Sequence, residues 1–140
     1  MNVTSCDDHA TLAEAFMTKI DRGLAWLLIL GALGHLFGSW SGYRQQPETL
    51  VWALSGSLAA ILVAAINLLR VSRPHDRGLA TVCVAGSLAW TAVALGFGSA
   101  IGHVLDVRVL VHAVNGALLA AMSLRTLTQA AGRLPAVTTG

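Results

Sequence analysis

Charged side chains are scarce in this sequence. Asp, Glu, Lys and Arg make up 11% of the residues and hydrophobic residues 55%, whereas about 25% of a typical soluble domain is charged. This composition excludes a water-soluble helical domain, in which every surface helix needs a polar face. The nine Lys and Arg residues are spread along the chain rather than gathered in one patch, which argues against a nucleic-acid partner.

The motifs of common enzyme classes are also missing. The sequence has no glycine-rich phosphate loop, no Ser/His/Asp set, no H-E-x-x-H motif and no paired acidic residues inside an apolar run. Each of these motifs places reactive groups at the spacing that its chemistry requires. We therefore expect no independent catalytic activity.

Long apolar runs dominate what is present. A hydrocarbon core about 30 Å thick is crossed by about 20 apolar helical residues, and a lipid-exposed backbone must satisfy its own hydrogen bonds, as a helix does. The sequence therefore predicts an all-α, polytopic membrane protein that forms a four-transmembrane-helix bundle in a lipid bilayer. The runs cover residues 23–40, 50–69, 78–101 and 104–124.

The predicted transmembrane domain, 22–125, lies between an N-terminal segment (1–21) and a C-terminal tail (126–140). In the N-terminal segment, apolar residues recur every four positions, which places them on one helical face. They are Leu12, Phe16 and Ile20. This pattern predicts a short amphipathic helix at the membrane interface; the alternative is a frayed tail.

The basic residues predict the orientation. Seven lie before the first run, between the second and third runs, or after the fourth: Lys19, Arg22, Arg70, Arg73, Arg77, Arg125 and Arg133. Only Arg44 and Arg108 lie in the opposite connections. Because cytoplasmic loops carry an excess of Lys and Arg, both termini are predicted in the cytoplasm. The Ala-, Gly- and Arg-rich composition indicates a bacterial inner-membrane protein.

A faint repeat relates the two halves of the chain at a spacing of 60 residues. Residues 37–39 and 97–99 both read Phe-Gly-Ser, and 50–60 shares Leu, Val, Ala and Gly positions with 110–120. The pattern is typical of two repeated helical hairpins. Chance similarity between apolar helices is the alternative.

Small residues recur at four-residue spacing within the runs. Such residues let helices approach closely in a membrane. We predict that they pack the bundle together, with a contact between two copies of the chain as the alternative. The candidate packing residues are Gly34, Gly38, Gly56, Gly98, Gly102 and Gly116.

Three histidines are predicted near the outer face: His35, His103 and His112. Polar and ionisable residues nearby extend this candidate site: Asp106, Arg108 and Asn115. Ionisable residues inside a membrane are costly and usually face a bundle interior or a cavity. Three interpretations stay open. The histidines form structural hydrogen bonds, or a pocket for a proton or a polar ligand, or a site for metal or haem b.

Three functions follow from these alternatives. The first is association, as an accessory subunit of other membrane proteins or as a homo-oligomer. The second is a redox membrane anchor that binds haem b or a quinone through the histidines, with His35 and His112 as the best pair for haem. The third is a small-solute or ion transporter or channel, for which Asp106 is the candidate acidic residue.

Overall fold

Four antiparallel helices make up the fold. A computed structural model describes the backbone of residues 4–131 and the side chains of residues 11–129. The helices are α1 (Thr4–Tyr43), α2 (Pro47–Ser72), α3 (Arg77–Ala100) and α4 (Val107–Ala131). No strand occurs within residues 4–131. The all-α four-helix bundle predicted from the apolar runs is confirmed.

Each helix is long and apolar enough to cross a membrane. Large apolar side chains also cover the outside of the bundle, where Phe37 and Trp52 are both 73% exposed. Contiguous apolar patches of this extent are rare on soluble monomers, whereas lipid tails solvate them well. The chain thus has the character of a multi-pass membrane protein.

The helices pair as two hairpins. α1 packs most extensively on α2, and α3 packs most extensively on α4. Smaller contacts between α2 and α3 and between α1 and α4 close the bundle, and α2 touches α4 across its centre. This arrangement contains the two hairpins that the faint repeat suggests, while their origin by duplication stays a prediction.

From Thr4 onward, the N-terminal segment is the beginning of α1 rather than a separate helix. Residues Thr4–Tyr43 form one helix of 40 residues, about 60 Å long at the usual rise per residue. No proline interrupts it, and a single glycine such as Gly23 costs a helix only about 1 kcal/mol. Leu12 and Phe16 are exposed on this extension.

The connection between α3 and α4 is longer than the apolar pattern indicates. The fourth apolar run begins at Val104, yet α4 begins at Val107. Gly102 adopts a positive φ of 72°, a left-handed conformation that glycine adopts without steric cost. The amide of His103 then donates to the carbonyl of Gly98 at 2.9 Å. This bond and the one from the amide of Asp106 to the carbonyl of His103 form a turn over residues 101–106.

The bundle interior has an apolar layer between two polar ends. The layer consists of Ala25, Leu28, Ala32, Ala60, Ala64 and Leu119. Most of these residues are alanines, which let the helix backbones approach closely. We refer to the end that carries Asp21 as the Arg70 end, and to the opposite end, near the α3–α4 turn, as the Arg108 end.

Candidate functional site

A buried ion pair joins α1 to α2 at the Arg70 end. Nη2 of Arg70 lies 2.6 Å and 2.8 Å from the two carboxylate oxygens of Asp21. Arg70 is only 2% exposed and Asp21 only 8%. Nη1 of Arg70 donates to the Thr126 hydroxyl at 2.9 Å, so that one guanidinium connects α1, α2 and α4. Charges buried this deeply are tolerated only when they are paired.

Asn67 extends this polar cluster towards the apolar layer. Its Nδ2 donates to the Ser87 hydroxyl of α3 at 3.1 Å, and its Oδ1 accepts from the Ser123 hydroxyl of α4 at 3.1 Å. Nδ2 also donates to the carbonyl of Val63, one turn earlier in α2. Both ends of the amide are therefore satisfied within the protein. Through Arg70 and Asn67, this cluster touches all four helices.

The structure corrects the position predicted for Arg70. The sequence pattern places Arg70 in the loop between the second and third runs. Arg70 instead lies in the last turn of α2, and it can be buried there because a carboxylate on α1 compensates its charge. The sequence does contain a signal for this site, because two polar pairs with i, i+3 spacing stand in otherwise apolar helices. The pairs are Asn67 with Arg70 and Ser123 with Thr126.

A cleft opens at the Arg70 end next to this ion pair. The part beside the ion pair has a volume of about 90 Å³ and is lined by Asp21, Arg70 and Thr126, among others. An adjoining part of about 280 Å³ is lined by Glu14 and Arg125, among others. The cleft thus connects the buried ion pair to the edge of the bundle.

His35 binds within the hairpin of α1 and α2. Its Nδ1 lies 2.9 Å from the hydroxyl of Ser57 on α2 and 3.4 Å from that of Ser39, one turn further along α1. Both serines are buried. These contacts match the structural interpretation of this histidine, in which its hydrogen bonds join neighbouring helices.

His112 packs between α1 and α3. A Cβ added to Gly31 would lie only 2.9 Å from Cε1 of His112, so the absence of a side chain at Gly31 makes room for the imidazole. The ring of Trp90 on α3 meets the imidazole edge-on, with the ring centroids 5.6 Å apart. Asn115, one turn along α4, is 3% exposed and donates to the carbonyl of Leu24 at 3.1 Å.

The other residues of the predicted outer site lie at the surface. His103 is exposed in the turn. Arg108 donates from Nε and Nη2 to Asp106 at 3.0 Å and 2.8 Å, and its side chain is 79% exposed. These hydrogen bonds lower the pKa of the Asp106 carboxyl to about 2. Asp106 is therefore a paired surface carboxylate rather than a buried one.

The structure brings only part of the predicted histidine site together. His35 lies one turn along α1 from Gly31, against which His112 packs, whereas Arg108 is paired with Asp106 at the surface. A haem bound by His35 and His112 would need open space between the helices for its macrocycle, with one imidazole on each side. His112 instead lies directly against the backbone of α1 at Gly31. Within the described side chains, no three His, Cys, Asp or Glu residues form a metal-binding group.

The candidate packing glycines divide into two groups. Gly98 and Gly116 face the other helix of their hairpin: a Cβ would lie 2.8 Å from Val109 at Gly98 and 2.6 Å from Thr91 at Gly116. A Cβ at any of the other candidates would meet no atom within 4 Å. They are Gly34, Gly38, Gly56 and Gly102.

No protein-family model matches the chain, and no curated protein or solved structure matches it either.

Proposed function

We propose that this protein acts by association in the membrane, as a homo-oligomer whose contact is the glycine face of α1, formed by Gly34, Gly38 and Gly42. One observation carries the proposal. A Cβ added to any of these three glycines meets no atom within 4 Å, whereas the buried residues of α1, such as Leu28 and Ala32, point into the bundle.

The chemistry of this face favours a second copy of the chain as the partner. Two consecutive G-x-x-x-G steps form a shallow groove that lets the backbone of a facing helix approach closely. In a two-fold symmetric contact the same patch serves both subunits, so one groove can receive its own counterpart. An accessory role beside a different membrane subunit uses the same face with another partner.

The test measures association in lipid with matched glycine variants. Gly38→Leu adds a side chain to the glycine face, and Gly96→Leu adds one at an equally open glycine of α3. Single-molecule fluorescence of the labelled protein in liposomes reports the dimer fraction. We expect Gly38→Leu to weaken dimerisation about tenfold or more, because overpacking costs about 1–3 kcal/mol and 1.4 kcal/mol is tenfold in affinity. An equal effect of Gly96→Leu, or none from Gly38→Leu, contradicts the proposal.

Transport of a proton or a small polar solute is the second candidate function. The cleft at the Arg70 end favours it, because the cleft leads to the buried Asp21–Arg70 pair. Ionisable residues inside membrane bundles often mark ion or substrate paths. The acidic residue with this environment is Asp21, not the Asp106 singled out by the sequence.

Proton flux into liposomes distinguishes transport from association. If the protein conducts protons, Asp21→Asn abolishes the flux while the surface variant Asp106→Asn keeps it. If wild-type liposomes are no leakier than protein-free liposomes, proton transport is rejected and association stands.

We further propose that the protein lies in a bacterial inner membrane with both termini in the cytoplasm. The support is the excess of Lys and Arg at the Arg70 end, since cytoplasmic loops carry this excess. A reporter enzyme that is active only in the periplasm, fused to the C-terminus, should be inactive. The same reporter inserted after Arg44 should be active, and the reverse result rejects this orientation.

A further inference from the structure

Three buried polar atoms lack a protein partner where α3 meets one turn of α4. They are Nε1 of Trp90, Nδ1 of His112 and Oδ1 of Asn115. Buried polar groups in proteins are nearly always hydrogen-bonded, so unpaired ones require an explanation. Three such atoms on neighbouring side chains point to a shared partner from outside the chain.

Packing brings these side chains to the same place. A Cβ at Gly116 would lie 3.3 Å from Cδ1 of Trp90, the ring atom bonded to Nε1, so the indole lies against α4 beside Asn115. The same indole meets the ring of His112, with centroids 5.6 Å apart. His112 and Asn115 are three residues apart on α4, and side chains at that spacing are neighbours on a helix surface.

Asn115 is held by a hydrogen bond and His112 by packing. Asn115 donates through Nδ2 to the carbonyl of Leu24, which leaves its Oδ1 as an acceptor that needs a donor. His112 is fixed between Gly31 and Trp90. The polar atoms at this turn of α4 are therefore held in place rather than free to turn elsewhere.

The chemistry of the three atoms defines the ligand. The indole N–H only donates, the free amide oxygen only accepts, and an imidazole Nδ1 does either. A hydroxyl is the smallest single group that both accepts from Trp90 and donates to Asn115. We propose that Trp90, His112 and Asn115 form an intramembrane site that binds one hydroxyl group, from an internal water or from a membrane-soluble alcohol or phenol.

This site differs from the association face of α1 and from the cleft at the Arg70 end. Its location, between Gly31 of α1 and Trp90 of α3, is one turn further into the bundle than Arg108. Internal waters in proteins typically make about three hydrogen bonds to otherwise unsatisfied groups, which matches the three atoms at this site.

Solid-state NMR of the full chain in bilayers tests the site. The protein carries ¹⁵N in its tryptophan indoles, and Trp90→Phe identifies the Trp90 resonance. The first bilayer is synthetic diacyl phosphatidylcholine, which contains no hydroxyl group, and the second is a natural lipid extract. We expect a hydrogen-bonded Trp90 N–H, with a cross-peak to water in the first bilayer if water is the occupant. If the occupant is an alcohol or phenol, the hydrogen-bonded resonance appears only in the extract.

Variants distinguish a hydroxyl group bound at Trp90 from ordinary packing around its indole. Asn115→Leu should shift the Trp90 resonance to the position of a free indole N–H. Asp106→Asn, at the exposed pair in the α3–α4 turn, should leave the resonance unchanged. If Asn115→Leu fails to fold, His112→Phe keeps a ring of similar size and should weaken the water or alcohol signal. A Trp90 N–H that is free in both bilayers, or bonded but insensitive to Asn115 and His112, overturns the proposal.

Discussion

Removing Asp21 while Arg70 remains should destabilise the bundle strongly. The substitution Asp21→Leu leaves a guanidinium that is 2% exposed without its carboxylate. Removing one partner of a buried ion pair typically costs about 3–5 kcal/mol, because the remaining charge is buried without compensation. We expect a loss of that size in the free energy of unfolding.

The double variant Asp21→Leu/Arg70→Met should recover most of that loss. Replacing a buried pair by apolar residues of similar volume is often neutral or stabilising. The other partners of Arg70 keep hydrogen bonds, because Thr126 still donates to the carbonyl of Met122 at 3.2 Å. Asn67 likewise still accepts from Ser123. The remaining deficit should be about 1 kcal/mol, the net value of one ordinary hydrogen bond.

Unfolding in mixed micelles, with increasing SDS followed by far-ultraviolet circular dichroism, measures these changes. The exposed pair of Asp106 and Arg108 provides the control, and Asp106→Asn should change the free energy of unfolding far less than Asp21→Leu. A loss below about 1 kcal/mol for Asp21→Leu, the range typical of surface pairs, would refute a buried and paired Arg70. A double variant as unstable as the single one would refute the compensation argument.

Two other measurements test the packing and the surface turn. Gly116→Ala should cost up to about 2 kcal/mol of unfolding free energy. Overpacking against Thr91, which lies 2.6 Å from the added Cβ, costs about 1–3 kcal/mol, and the higher helix propensity of alanine returns about 1 kcal/mol. Gly96→Ala, with open space, should stabilise α3 by up to about 1 kcal/mol; equal effects at the two glycines contradict the packing. Carboxyl ¹³C NMR should show Asp106 titrating near pH 2 rather than at its ordinary 3.8. The stabilisation from its bonds to Arg108 is then complete above pH 4 and is lost as the pH falls towards 2, whereas titration near 3.8 would show the bonds absent.

The four helices could be predicted from sequence because the bilayer imposes one simple requirement. A segment must be apolar over about 20 residues and must satisfy its own backbone, and both properties are local. The first residue of α4 was harder to predict, because the apolar residues Val104 and Leu105 continue the hydropathy pattern through the turn. Only the bonds around Gly102 and Asp106 show where the chain stops being helical.

The polar sites were harder to predict because they depend on helix register. Nothing local connects Asp21 to Arg70, which are 49 residues apart, and the charge pattern alone assigns Arg70 to a loop. The similar depth of His35 and His112 could be predicted from the sequence, whereas the partners of His112 could not. Its position depends on Gly31 and Trp90, whose facing surfaces become visible only when three helices are packed together.

Self-association through the glycine face of α1 is the central claim, and disulfide crosslinking in native membranes tests it most directly. Single cysteines are placed in a background without Cys6 and Cys83, at Leu30 or Ser41 beside the glycine face, and at Leu36 or Trp40 on another side of α1. We predict crosslinked dimers from Leu30→Cys and Ser41→Cys, which disappear when Gly38→Leu is added, and none from Leu36→Cys or Trp40→Cys. Absence of dimers at all four positions, or equally strong dimers at Leu36 and Trp40, would contradict the claim.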